Sequence, residues 1–130
     1  MLFHNRVSSL EGLEGLKSLK ELDLSQNRIK SIKGVEKAET LEKLNLGMNK
    51  LEFIGEELQT LKNLQELNLS GNKISSVQEI MKLKNIPTLK ALVFFDPHYG
   101  ENPICKIYNY QVSKFSKKNQ RLSCFIILDN

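Results

Sequence analysis

The chain has 130 residues, with 19 Lys and Arg against 15 Asp and Glu, a formal charge of +4, and 40% hydrophobic residues. That is enough chain to bury one core, and without a run of 18 apolar residues no membrane-spanning helix is expected. Two cysteines, Cys105 and Cys124, are too few for a disulfide framework and stand in no Cys/His cluster of zinc-site spacing.

At the N-terminus Leu2, Asn5, Val7, Leu10 and Leu13 fall at intervals that the rest of the chain repeats. Leu19-x-x-Leu22-x-Leu24-x-x-Asn27-x-Ile29 returns from Leu41 to Leu51 and again from Leu64 to Ile74, with starting leucines 22 and then 23 residues apart. This pattern and period define a leucine-rich repeat, a unit that buries its apolar face only by stacking on its neighbours. Each repeat begins with a short strand whose alternate residues point inward, so Leu22 and Leu24 enter the core while Glu21 and Asp23 face out. Ile29, Ile32 and Val35 follow three apart, a spacing that predicts a tight turn and a short helix or 3₁₀ segment. Leu51, Ile54 and Leu58 take those places in the second repeat, and Ile74, Val77 and Ile80 in the third. Asn27, Asn49 and Asn72 are expected to stack as a ladder, their amides bonding backbone groups where each strand ends.

Residues 1–18 thus read as a partial first repeat without a polar cap. The expectation is that Met1 is an internal methionine of a longer protein or the start of a truncated isoform. An open N-terminal edge of this kind predicts self-association or marginal stability in isolation. Residues 19–88 hold three complete repeats, and 89–105 begin a fourth with Leu89-x-x-Leu92-x-Phe94. There an asparagine due at position 97 is replaced by proline; Asn102-Pro103 looks like the displaced turn, which makes 96–101 an insertion with loop-forming Pro97 and Gly100. Residues 106–130, from Tyr108 and Tyr110 to Leu122, Phe125, Leu128 and Asp129, read as a diverged C-terminal cap. The fold expected for 1–130 is one α/β solenoid domain: a parallel concave sheet, short helices or 3₁₀ turns on the convex side, and a cap.

Residues 2–110 resemble the class of protein phosphatase 1 regulators with 22-residue repeats. The stretch Phe95-Asp96-Pro97-His98-Tyr99-Gly100-Glu101-Asn102-Pro103-Ile104-Cys105, with Asn109-Tyr110, is similar to the leucine-rich repeat-containing protein 9 family of large intracellular proteins. Residues 111–130 depart from the usual cap, which is shorter and contains Leu-Pro. The resemblance implies a non-catalytic binding surface in the cytoplasm, with the cilium or cytoskeleton as settings. It also suggests two alternatives: a phosphatase regulatory subunit, or a ribonucleoprotein component using the basic C-terminal half.

No catalytic set is apparent. His98, Asp96 and Cys105 have no oxyanion-type motif beside them, and there is no glycine-rich phosphate loop or H-E-x-x-H; no cofactor or metal is expected. With no secretory leader at the first residues, a reducing compartment and free thiols are expected. Residues 61–130 carry 10 Lys and Arg against 5 Asp and Glu, and the run at 114–121 reads as a solvated face rather than a nucleic-acid platform. Recognition of a protein partner is then the expected activity. On the concave face Lys20, Glu21, Asp23 and Ser25 form the first strand's outward set, Glu42, Lys43, Asn45 and Gly47 the second, and Gln65, Glu66, Asn68 and Ser70 the third. Lys90, Ala91, Val93 and Phe95 form the fourth. The candidate contact residues are Glu21, Asp23, Lys43, Asn45, Glu66, Asn68, Val93 and Phe95, with His98 and Tyr99 of the insertion. Two readings of Phe95 and Tyr99 stay open: an apolar patch for a partner, or filler that folds back under the cap.

Overall fold

A computed structural model describes residues 5–107. The expectations placed on Leu2, Cys124, the basic run at 114–121 and the cap beyond position 107 lie outside these residues.

Alternation of inward and outward side chains, polar outward in the first three and apolar in the last, marks four three-residue strands: β1 (Glu21–Asp23), β2 (Lys43–Asn45), β3 (Glu66–Asn68) and β4 (Ala91–Val93). They form one parallel sheet in chain order. Register is set by equivalent repeat positions: Leu22, Leu44, Leu67 and Leu92 align in one buried row, while Glu21, Lys43, Glu66 and Ala91 align in an outward one. The strands return through 3₁₀ turns at Val35–Lys37 and Glu57–Thr60, preceded by one at Leu13–Gly15. Leu24, Leu46, Leu69 and Phe94 extend the buried rows through all four repeats, each about 1% exposed or less. Among the described residues no helix is long and apolar enough to cross a membrane.

The asparagine ladder forms as expected, with four rungs. The side-chain oxygens of Asn27, Asn49, Asn72 and Asn102 accept the amides of Val7, Ile29, Leu51 and Ile74, each at 3.0 Å. Their amide nitrogens donate to strand-end carbonyls; Asn49 bonds both Leu24 and Leu46, so every interior rung ties two repeats together. Asn102 donates to Leu69 and Phe94, the bonds that the insertion reading required of it. Unpaired amides and carbonyls in this interior would each cost about 1–3 kcal/mol.

The third repeat differs from its sequence reading. Ile74 is fully buried, but Val77 and Ile80 are only partly buried at the core margin, and Leu83 and Ile86 fill the interior. Length is the reason: 25 residues separate Leu64 from Leu89. The extra residues wind into helix α1 (Val77–Lys82), followed by a 3₁₀ turn at Leu83–Asn85. That winding turns Glu79 into the crevice against the second repeat, where its buried carboxylate accepts the Ile54 amide at 2.8 Å.

The insertion is not an open loop. Phe95–Asp96 (β5) and Gly100–Glu101 (β6) pair antiparallel, and Pro103 opens the short helix α2 (Pro103–Ile107). Asp96 organises the turn, its carboxylate accepting the amides of His98 at 2.7 Å and Tyr99 at 3.3 Å.

Candidate functional site

An all-parallel sheet is ordinarily covered on both faces. Here one face packs on the core, while the other carries the outward rows, whose side chains are exposed to different degrees.

Its first two rows are charged and largely self-neutralising. Lys43 lies between Glu21 and Glu66, 3.4 and 3.6 Å from their carboxylates. Glu66 first, then Glu21, raises the Lys43 ammonium above its ordinary pKa of 10.5. Lys20 pairs with Glu42 at 3.0 Å, and the Lys90 ammonium donates to the Gln65 side-chain amide oxygen at 3.1 Å. Exposed pairs of this kind add little stability; their effect is to leave the face polar without a strong field of either sign.

The next row is occupied with its own backbone. Asp23 accepts the Ser25 amide and hydroxyl at 2.9 and 2.7 Å, and Asn68 does the same for Ser70 at 2.9 and 2.6 Å. Asn45 accepts the Gly47 amide at 3.0 Å and donates to Asp23 at 3.2 Å. Asp23, Asn45 and Asn68 are therefore partly buried turn-formers that expose only part of their side chains. At the end of this row stands Val93, in register with Asn68 and partly exposed, without a polar group to saturate.

The last row corrects the sequence reading. Ser25, Gly47 and Ser70, assigned outward, are buried. The hairpin folds back across them: the Tyr99 hydroxyl donates to the Ser25 hydroxyl at 3.2 Å, and a Cβ built on Gly47 would lie 2.6 Å from the Tyr99 ring. At Gly71, φ is +64° and a Cβ would collide with the Tyr99 carbonyl oxygen. Tyr99 folds back onto the strand ends at Ser25, Gly47 and Gly71; the cap of the second reading lies outside the described residues. Phe95 packs partly against the core. His98 is exposed at the hairpin turn, its ring edge-on to Tyr99 at 5.1 Å.

The candidate residues thus fall into three groups. Glu21, Lys43 and Glu66 are exposed and mutually paired; Asp23, Asn45 and Asn68 shape the sheet edge; Val93, Phe95 and His98 stand near the β4 end, with Tyr99 engaged elsewhere. The seat for Tyr99 escaped sequence reasoning, although the small side chains Ser25, Gly47 and Ser70 at one repeat position were its signal. Among the described residues no three His, Cys, Asp or Glu side chains gather as metal ligands.

Comparison with known proteins agrees with this geometry. No curated protein sequence is significantly similar to the chain. Among solved structures it is similar to an internalin from Listeria monocytogenes, at 32% identity and a TM-score of 0.59, over 68% of this chain and 25% of that one. The chain therefore spans about a quarter of that relative's length. The family model for leucine-rich repeats in two copies matches residues 1–37 and 39–80. With its repeat period, its asparagine ladder and this match in agreement, the chain belongs to the leucine-rich-repeat family, whose members serve as protein-interaction modules.

Proposed function

We propose that the chain takes its protein partner on the concave face, at the end formed by β3 and β4, and acts there without catalysis as part of an intracellular scaffold. The observation that carries this reading is the position of Val93. It lies partly exposed beside Asn68 and continues a face whose upstream charges neutralise one another. Binding energy concentrates where apolar groups can be desolvated without stranding a charge. The paired Glu21, Lys43 and Glu66 would then govern encounter rate and selectivity more than affinity. The repeat type and the 95–105 stretch support a cytoplasmic setting, with the cilium or cytoskeleton as candidate compartments.

The test compares wild type with Val93→Glu as bait in lysates of ciliated cells. Met81→Glu serves as a control, because Met81 is 47% exposed and lies on α1, outside the concave rows. Circular dichroism first establishes that each variant is folded. Partners lost with Val93→Glu and kept with Met81→Glu support the reading; partners kept by both variants overturn it.

A further inference from the structure

A solenoid stacks equivalent side chains of successive repeats about 5 Å apart, so each repeat position becomes a line of charges. On the concave face the line Glu21, Lys43, Glu66 alternates in sign. The residue after each of the first four asparagines in the repeat pattern gives a different line: Arg6, Arg28, Lys50 and Lys73. Backbone bonds hold its register. The amides of Arg28, Lys50 and Lys73 donate to Val7, Ile29 and Leu51 at 3.0, 2.9 and 2.8 Å. All four side chains are exposed, and among the described residues none makes an ion pair.

Four like charges therefore stand in line over about 15 Å, with Lys30 adding a fifth cation beside them and Glu52 an acid. Such a row repels itself and attracts a linear anion. Two exposed apolar side chains flank it in sequence on either side of Lys50: Met48, 50% exposed, and Phe53, 65% exposed.

We propose that the row Arg6, Arg28, Lys50, Lys73 docks an extended acidic peptide segment that also offers apolar side chains to Met48 and Phe53. Alternate residues of an extended chain recur about every 6.8 Å, and the long flexible stems of lysine and arginine absorb the difference from the repeat spacing. Single-stranded nucleic acid fits the row less well. Its binders stack successive bases on a series of aromatic rings, whereas the equivalents of Phe53 in the neighbouring repeats are Ser31 and Ser76. The row lies outside the concave face, so the proposal stands apart from the reading of Val93.

The experiment is fluorescence anisotropy of the full chain with a fluorescein-labelled peptide of alternating glutamate and valine, alongside a labelled oligothymidylate of equal charge. Saturable binding of the peptide is expected, weakening as salt rises. Arg28→Glu/Lys50→Glu should weaken it at least about tenfold. Lys37→Glu/Lys84→Glu makes the same change in net charge at exposed sites elsewhere and should leave it within about twofold; Val93→Glu should leave it unchanged. Circular dichroism monitors folding, and Lys50→Gln/Lys73→Gln provides a second, milder reading of the row. Absence of saturable peptide binding, equal losses in the two charge-reversal pairs, or tighter binding of the oligothymidylate would each overturn the proposal.

Discussion

The Tyr99 hydroxyl lies 3.2 Å from that of Ser25, a residue 74 positions earlier and three repeats away. Ser25 passes the contact on, its own hydroxyl donating to Asp23 at 2.7 Å, and Asp23 in turn accepts from Asn45 at 3.2 Å. The hairpin of the fourth repeat is thereby joined by hydrogen bonds to the outward rows of the first and second.

Because the Tyr99 ring rests on Gly47 while its carbonyl rests on Gly71, the two glycines should respond differently to substitution. Gly71→Ala meets backbone and imposes a side chain at φ +64°, and is expected to cost about 1–3 kcal/mol. Gly47→Ala meets side chains alone, the Tyr99 ring at 2.6 Å and, less closely, the Asn45 amide oxygen at 3.1 Å. Adding Tyr99→Ala should therefore rescue most of the Gly47→Ala loss and little of the Gly71→Ala loss, as read by a double-mutant cycle in urea. Equal rescue of both would show that the hairpin backbone is not held against Gly71.

The asparagines should be graded by what they leave unpaired. Asn49→Ala strands the Ile29 amide and removes its bonds to the Leu24 and Leu46 carbonyls in a buried setting, for an expected loss of about 1–3 kcal/mol. Asn27 supports the partly buried Val7 at the first turn, where water can replace the lost bond, so Asn27→Ala should cost less. Denaturant midpoints of the two variants check the order.

Glu79 gives the acid limb of the stability curve a specific component. Burial opposes its ionisation, but the Ile54 amide, Lys82 and the Gly55 amide outweigh that and hold its pKa below the ordinary 4.5. A carboxyl with a depressed folded pKa contributes stability that is present above the unfolded value and lost as pH falls through the folded one. Wild type should therefore lose Tm more steeply than Glu79→Gln as pH drops below about 4.5. Thermal melts across the acid range measure the difference, and parallel curves for the two proteins would remove Glu79 from the account.

Strand β1 ends the sheet, and among the described residues no strand pairs with its outer edge. We propose that the chain associates weakly through this edge, against the repulsion of Glu21 with its copy in a second chain. Screening that repulsion should favour association, so sedimentation velocity is expected to show dimer increasing from low to moderate salt. A single monomeric species at every concentration and salt level would dismiss the idea.

What could be read from the sequence was whatever repeats. Leu22, Leu44 and Leu67 recur at fixed offsets because stacking allows only one register, and Asn102 could be placed because its rung has to be filled. Glu79 could not: Val77 and Ile80 keep an apolar spacing that points inward on paper. Only the extra length between Leu64 and Leu89 hinted that a helix would rotate a carboxylate into the interior. The seat of Tyr99 was harder still, since a contact made once, between the fourth repeat and the first, leaves only the small residues at one repeat position as its trace. For the candidate contact residues, periodicity placed Glu21, Lys43, Glu66 and Val93 on an open face. It could not say that Asp23, Asn45 and Asn68 would be engaged by their own turns.

Repeat arrays usually tolerate being lengthened or shortened, since each unit answers only to its neighbours. The bond from Tyr99 to Ser25 changes that rule here. It spans a fixed number of repeats, so inserting one more unit between them would carry Ser25 out of reach, and deleting one would bring a different residue under the ring. The hairpin works as a gauge of array length: duplicating or deleting an internal unit would forfeit this bond, worth about 1 kcal/mol.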